Sequence, residues 1–107
     1  MSDISVVPEQ AILVHVNFSQ QHTSEDLAEL KLLVSSAGVN SIEVVSTNRS
    51  APDPKFFVGS GKAQDIADLV EQHQATVVIF NHALSPAQTR NLERLCLTRV
   101  IDRTTLI

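Results

Sequence analysis

Residues 76–102, TVVIFNHALSPAQTRNLERLCLTRVID, decide how this chain folds. Thr76 to Phe80 is an unbroken, β-branched apolar run, as expected of a strand buried on both faces. Ser85-Pro86-Ala87-Gln88 then writes a helix start: a capping serine, proline at the first helical position, and glutamine three residues after the cap. Leu92, Leu95 and Cys96 supply the apolar face of that helix, and Arg99 to Asp102 (RVID) closes the unit as a short strand. Two strands joined through a helix form a parallel crossover, because parallel neighbours need a connection of about helix length.

The same alternation extends upstream. Ala11 to Val16 (AILVHV) is a second continuous apolar run, hence a first buried strand. Thr23 or Ser24 caps a helix whose first turn carries Glu25 and Asp26. Leu27, Leu30, Leu33, Val34 and Ala37 keep helical spacing, and Gly38 stands at the C′ stop. Asn40 to Thr47 (NSIEVVST) is β-branched and partly alternating, a further strand. Arg49 to Lys55, with Pro52 and Pro54 bracketing Asp53, cannot continue a ladder and forms a long loop. Phe56-Phe57-Val58 leads into Gly59-Ser60-Gly61-Lys62, after which Ile66, Ala67 and Val70 mark a helix. The fold class is therefore α/β: a mostly parallel four-stranded sheet with about three flanking helices, over residues 11–107 and behind a flexible N-terminus at 1–10.

Composition narrows the function. With 107 residues, 43% apolar and 19% charged, the chain is one globular domain, and no run approaches the roughly 20 apolar residues of a membrane helix. Without a basic n-region or long apolar h-region at the start, the expected compartment is the cytoplasm. The net charge of −4 argues against an autonomous nucleic-acid binder, yet the charge is uneven. Residues 1–48 hold six acids against Lys31 alone, whereas 49–107 hold seven bases against six acids. Arg49, Lys55, Lys62, Arg90 and Arg94 thus make either a solvated surface or a face that meets phosphates.

The glycine-rich turn Gly59-Ser60-Gly61-Lys62 is the candidate anion contact, since glycines let backbone amides approach an anion and the lysine adds charge. It matches neither nucleotide fingerprint. A P-loop would need Gly where Phe56 stands and Ser or Thr where Ala63 stands. The dinucleotide loop would need Gly in place of Gln64. Lys62 in a first helical turn faces the positive end of the dipole; either a bound phosphate or Asp65 relieves it. His15, His22, His73 and His82 show no ligand spacing, so no metal site is assigned, and no catalytic triad is nominated. His15 reads as a hydrogen-bonded core or edge residue, and Asn81-His82 either touches a ligand or anchors the turn into Ser85. Cys96 reads as a small buried hydrophobe.

Phe57-Val58-Gly59-Ser60-Gly61-Lys62-Ala63, Val78 to Gln88 (VIFNHALSPAQ), Asn91-Leu92-Glu93-Arg94 and Arg99 to Thr104 (RVIDRT), with their spacing, resemble the N-terminal domain of HflX-family GTPases. The resemblance covers roughly residues 11–107 and departs at Ser60, Asn81 and Thr105. It implies an α/β domain followed, in the parent protein, by a helical hairpin and a P-loop GTPase domain that uses GTP and Mg. It also implies that the parent binds the large ribosomal subunit and splits or rescues stalled ribosomes under stress. This domain would then dock on rRNA and communicate with its own G domain. These residues contain no Walker A, D-x-x-G or N-K-x-D sequence, so the chain itself is expected to be no enzyme and to hold no cofactor. The expected anion or nucleic-acid contacts are Arg49, Lys55, Gly59, Ser60, Gly61, Lys62, Arg90 and Arg94. Two alternatives stay open: direct ATP or GTP binding at the Gly59–Lys62 turn, and a purely intramolecular scaffold for the G domain.

Overall fold

The computed structural model describes residues 9–18 and 24–106. Four strands form one wholly parallel sheet: β1 (Gln10–Phe18), β2 (Asn40–Arg49), β3 (Val77–Phe80) and β4 (Arg99–Asp102), in the order β2-β1-β3-β4. The central strands are the two continuous apolar runs. Ala11 to Val16 and all of β3 are buried, whereas the edge strands β2 and β4 mix buried with exposed positions. Four helices accompany them: α1 (Ser24–Ser36), α2 (Ser60–His73), α3 (Pro86–Cys96) and the single turn α4 (Arg103–Leu106). The last of these was not anticipated from the sequence; of the N-terminal segment expected at 1–10, residues 1–8 lie outside the described residues, as does Thr23, whereas Gln10 already belongs to β1.

Topology dictates which face each helix covers. The step from β1 to β2 runs opposite to the steps from β2 to β3 and from β3 to β4, so right-handed crossovers place α1 on one face and α2 and α3 on the other. The core divides accordingly. Leu30 and Val34 of α1 pack on Ala11, Leu13, Val77 and Ile79. Ile66, Ala67 and Val70 of α2 and Leu92 and Cys96 of α3 pack on Ile12, Val14, Val78, Phe80 and Val100. The direction reverses between β1 and β3, and beyond the carboxyl ends of those strands lies the usual ligand crevice of such sheets.

Local signals behave as their chemistry requires. Ser85 Oγ accepts from the Gln88 amide while Gln88 Oε1 accepts from the Ser85 amide, a complete capping box with Pro86 at the helix start. Gly38 (φ 78°) ends α1 with two reversed-turn bonds, its own N–H to the Ser35 carbonyl and that of Val39 to the Val34 carbonyl. β2 runs further than expected. Pairing of Asn17 with Asn48 and Phe18 with Arg49 carries the ladder to Arg49, so this residue closes a strand rather than opening the loop. α2 and α3 end on the left-handed residues Gln74 (φ 54°) and Leu97 (φ 57°), positions where no glycine announces a stop.

Candidate functional site

The connection from β2 to α2 is an ordered, bolted loop. Asp53 and Phe57 exchange two backbone hydrogen bonds, at 3.0 and 2.9 Å. The Asp53 carboxylate accepts from the amides of Lys55 (2.8 Å) and Phe56 (3.3 Å), which closes the turn around Pro54. Two side chains of α3 hold it down: Gln88 Nε2 donates to the Asp53 carbonyl (2.7 Å) and Asn91 Nδ2 to the Lys55 carbonyl (3.0 Å). Phe57 takes a positive φ of 70°, rare for an aromatic residue, and is buried. Its ring sits edge-on to Phe18 and Phe80 and stacks on His82 at 5.1 Å.

This loop delivers the glycine turn to the start of α2. Gly59 caps the helix with no side-chain hydrogen bond, and the first turn contains no acid. Arg49 fills the space instead: its Nη1 lies 2.9 Å from where a Cβ on Gly59 would stand, and its Nε donates to the Ala51 carbonyl at 3.0 Å. Helix N-termini favour anions, so a guanidinium beside uncapped amides makes a strongly electropositive corner. Lys62 departs from it. It pairs with Asp65 at 3.7 Å and lines a groove along β2 with Asp68 and Leu69.

Of the other predicted cations, Arg90 and Arg94 lie on α3 and Lys55 on the loop that α3 holds down. Lys55, lying over the Phe56 ring at 5.2 Å, and Arg94 line a cleft of about 280 Å³ with Asn91 and Leu95. Arg90 lines a separate cleft toward β4 with Glu93 and Asp102. The structure therefore brings Arg49 to Gly59 and Lys55 to Arg94, and separates Lys62 and Arg90 from both. Among the described residues, Arg49, Lys55, Arg90 and Arg94 make no ion pair, whereas Arg99 pairs with Glu9 (2.7 Å) and Arg103 with Glu29.

At the sheet's reversal point sits a polar cluster that sequence reasoning grasped only in part. Arg103 can only donate, so its 3.0 Å bond from Nη1 fixes Asn81 Oδ1 toward it and Asn81 Nδ2 toward His15 Nδ1, also at 3.0 Å. The Val16 amide donates to His82 Nε2 at 2.9 Å, so the proton of that ring resides on Nδ1. His15 and His82 stack at 5.3 Å. Asn81 and His82 thus tie the chain beyond β3 to the end of β1 and to Arg103. Signals for this cluster were minimal: two histidines and an amide at strand ends, with partners far away in sequence.

Cys96 is buried, and desolvation pushes its thiol up to about 11 from 9.0. Among the described residues no group of three His, Cys, Asp or Glu is placed to hold a metal ion, and no helix is long and apolar enough to cross a membrane.

A family described as GTP-binding GTPase N-terminal matches residues 24–107. The chain belongs to the HflX family. It is 61% identical to the GTPase HflX of Escherichia coli K12 over 99 residues, covering 92% of this chain and 23% of that protein. The GTPase HflX of Lacrimispora saccharolytica is 36% identical over 106 residues, covering 98% of this chain and 25% of that one. The chain thus spans about a quarter of the length of these curated HflX relatives. A GTP-binding protein from Sulfolobus solfataricus, solved with GDP, shares the fold with a TM-score of 0.68 at 21% identity, over 91% of this chain and 28% of that one. The segments that resemble the HflX N-terminal domain, between Phe57 and Thr104, include the start of α2, the α3 cap, and Asn81, His82 and Arg103 of the polar cluster.

Proposed function

We propose that this domain is the RNA-docking and regulatory front of an HflX-type GTPase, which binds the large ribosomal subunit in the cytoplasm and splits or rescues stalled ribosomes under stress. In this reading the GTP and Mg chemistry belongs to a G domain joined through a helical hairpin, and this chain contributes contacts rather than catalysis. The observation that carries it is the set of four cations, Arg49, Lys55, Arg90 and Arg94, without a protein counter-anion among the described residues. Cations left unneutralised in an acidic domain suit a phosphate partner, whose binding releases counterions. The ordered loop supports it further, since Asn91 and Gln88 fix Lys55 and the approach to Gly59 before any partner arrives.

The test is co-sedimentation with large ribosomal subunits of a longer polypeptide bearing Lys55→Glu and Arg94→Glu, compared with Lys62→Glu. The double reversal is expected to weaken binding and to lower the salt dependence by about one counterion per lost phosphate contact. Unchanged binding by both variants removes this end of the domain from the interface. The uncapped amides of α2 beside Arg49 also favour a second reading, direct ATP or GTP binding at the Gly59–Lys62 turn. Calorimetry of the chain with Mg-nucleotides separates the two, because the docking reading expects no heat of binding.

A further inference from the structure

β2 stands at the edge of the sheet, and its outer backbone is bare among the described residues. Register shows which groups face out. The amides of Thr76 and Asn81 donate to the carbonyls of Gln10 and Val14, so the even-numbered residues of β1 turn toward β3, and Leu13, His15 and Asn17 turn toward β2. In a parallel ladder each of these bonds the two residues that flank its partner, so Glu43, Val45, Thr47 and Arg49 point inward. The N–H and C=O groups of Val44, Ser46 and Asn48 therefore point away from the sheet. The opposite edge is closed: β4 has only 4 residues, and its Val100 amide donates to Glu93 Oε2 at 3.1 Å. β2 has 10 residues and no proline. A long open edge pairs with another strand unless charge, proline or a cover prevents it.

Charge names the partner. Glu43 and Arg49 lie on the same face of β2, beside Ile12 and Phe18 of β1. Among the described residues Arg49 makes no ion pair, and Glu43 meets only His73 Nε2, at 3.7 Å, a ring that is charged only when protonated. When two copies of β2 run antiparallel about a two-fold axis through Ser46, Glu43 of each stands directly across from the partner's Arg49, on one face of the joined sheet. The backbones match in the same register. Ser46 meets its own copy and Val44 meets the partner's Asn48, all through outward groups, which leaves Glu43 and the partner's Arg49 as a non-hydrogen-bonded pair, the closer kind, with Cα atoms about 4.5 Å apart. Moving the axis to Val44 or Asn48 separates the two charges. We propose that the chain forms a two-fold dimer through β2, which joins two four-stranded sheets into one and closes on two Glu43–Arg49 pairs. This goes beyond the docking reading, whose test rests on Lys55 and Arg94.

Sedimentation of the chain over a range of concentrations, with Förster transfer between differently labelled copies, tests it. Wild type is expected to pass from monomer to dimer as concentration rises. Glu43→Arg and Arg49→Glu each set two like-charged pairs across the axis, and each should weaken dimerisation by about ten-fold or more. An equimolar mixture of the two variants restores both opposite-charge pairs, so heterodimers should form at concentrations where neither variant pairs with itself. Ser46→Pro removes the amide on the axis, which the β1 ladder does not use, and should give a folded monomer. The mixture decides the matter even if that variant fails to fold. A wild type that stays monomeric at every concentration, or a mixture that associates no better than its components, overturns the proposal. Dimers that persist in folded Ser46→Pro place the contact elsewhere and overturn it as well.

Discussion

His82 Nε2 accepts the amide hydrogen of Val16 at 2.9 Å, across 66 residues of sequence. That bond joins the segment beyond β3 to the end of β1, at the point where the sheet reverses direction. The same imidazole stacks on Phe57 and His15, so one side chain both satisfies a strand amide and closes the aromatic cluster under the loop.

Replacing His82 by Phe keeps a ring for the stacks and removes the acceptor. The stranded Val16 amide should cost about 1–3 kcal/mol. Urea unfolding reads the loss, and amide exchange at Val16 should accelerate more than at Leu13, whose neighbours are unchanged. Full stability together with unaltered exchange would show that water replaces the imidazole at no cost.

Gln88 does two tasks with its two polar atoms: Oε1 completes the α3 cap and Nε2 holds the Asp53 carbonyl. Gln88→Glu retains the cap acceptor but sets a carboxylate oxygen against that carbonyl. A loss of about 1–2 kcal/mol is expected, appearing as faster amide exchange across residues 53–58 rather than in α3. Gln88→Ala should loosen both, because the cap itself contributes about 0.5–2 kcal/mol. Equal protection of the loop in wild type and Gln88→Glu would mean the loop does not depend on this contact.

The fold was legible because its signals are local. Ser85, Pro86 and Gln88 lie within one turn, Gly38 marks its own stop, and the central strands declare themselves by continuous burial. The strand order was not, since nothing in Ala11–Val16 says that it pairs with both Asn40–Arg49 and Val77–Phe80. The glycine turn and the basic residues were visible as types, but their grouping was not: Arg49 reaches Gly59 and Lys55 reaches Arg94 only through the Asp53 turn and the Asn91 bond. The His15–Asn81–Arg103 chain depends on strand register and on long-range partners, which spacing along a single sequence does not encode.

Leu97 holds a left-handed conformation (φ 57°) while its side chain is 87% exposed. A β-carbon in that region costs roughly 1–2 kcal/mol, and the exposed side chain returns little of it. Leu97→Gly should therefore stabilise the domain by about 0.5–1 kcal/mol after glycine's extra unfolded-state entropy is counted. Calorimetry should show a rise in Tm of about 2–8 °C. Leu97→Ala is the control, since it removes the side chain but keeps the β-carbon. A gain for Ala equal to that for Gly would place the effect in the side chain rather than the backbone.

Cys96 gives the fold a dependence on alkaline pH. Its buried thiol is pushed up to about 11, from 9.0. Between those values the unfolded chain sheds a proton that the folded chain keeps. The contribution is complete below pH 9, declines as pH rises toward 11, and changes no further above it. A gap of this size corresponds to roughly 2–3 kcal/mol. Cys96→Ala removes the titrating group at the expense of a small, pH-independent cavity penalty. The stability difference between wild type and variant, followed by urea unfolding from neutral to strongly alkaline pH, should therefore shift steadily in the variant's favour above pH 9. Parallel curves would mean that the folded thiol ionises as easily as the unfolded one, and that its place in the core does not shield it from water.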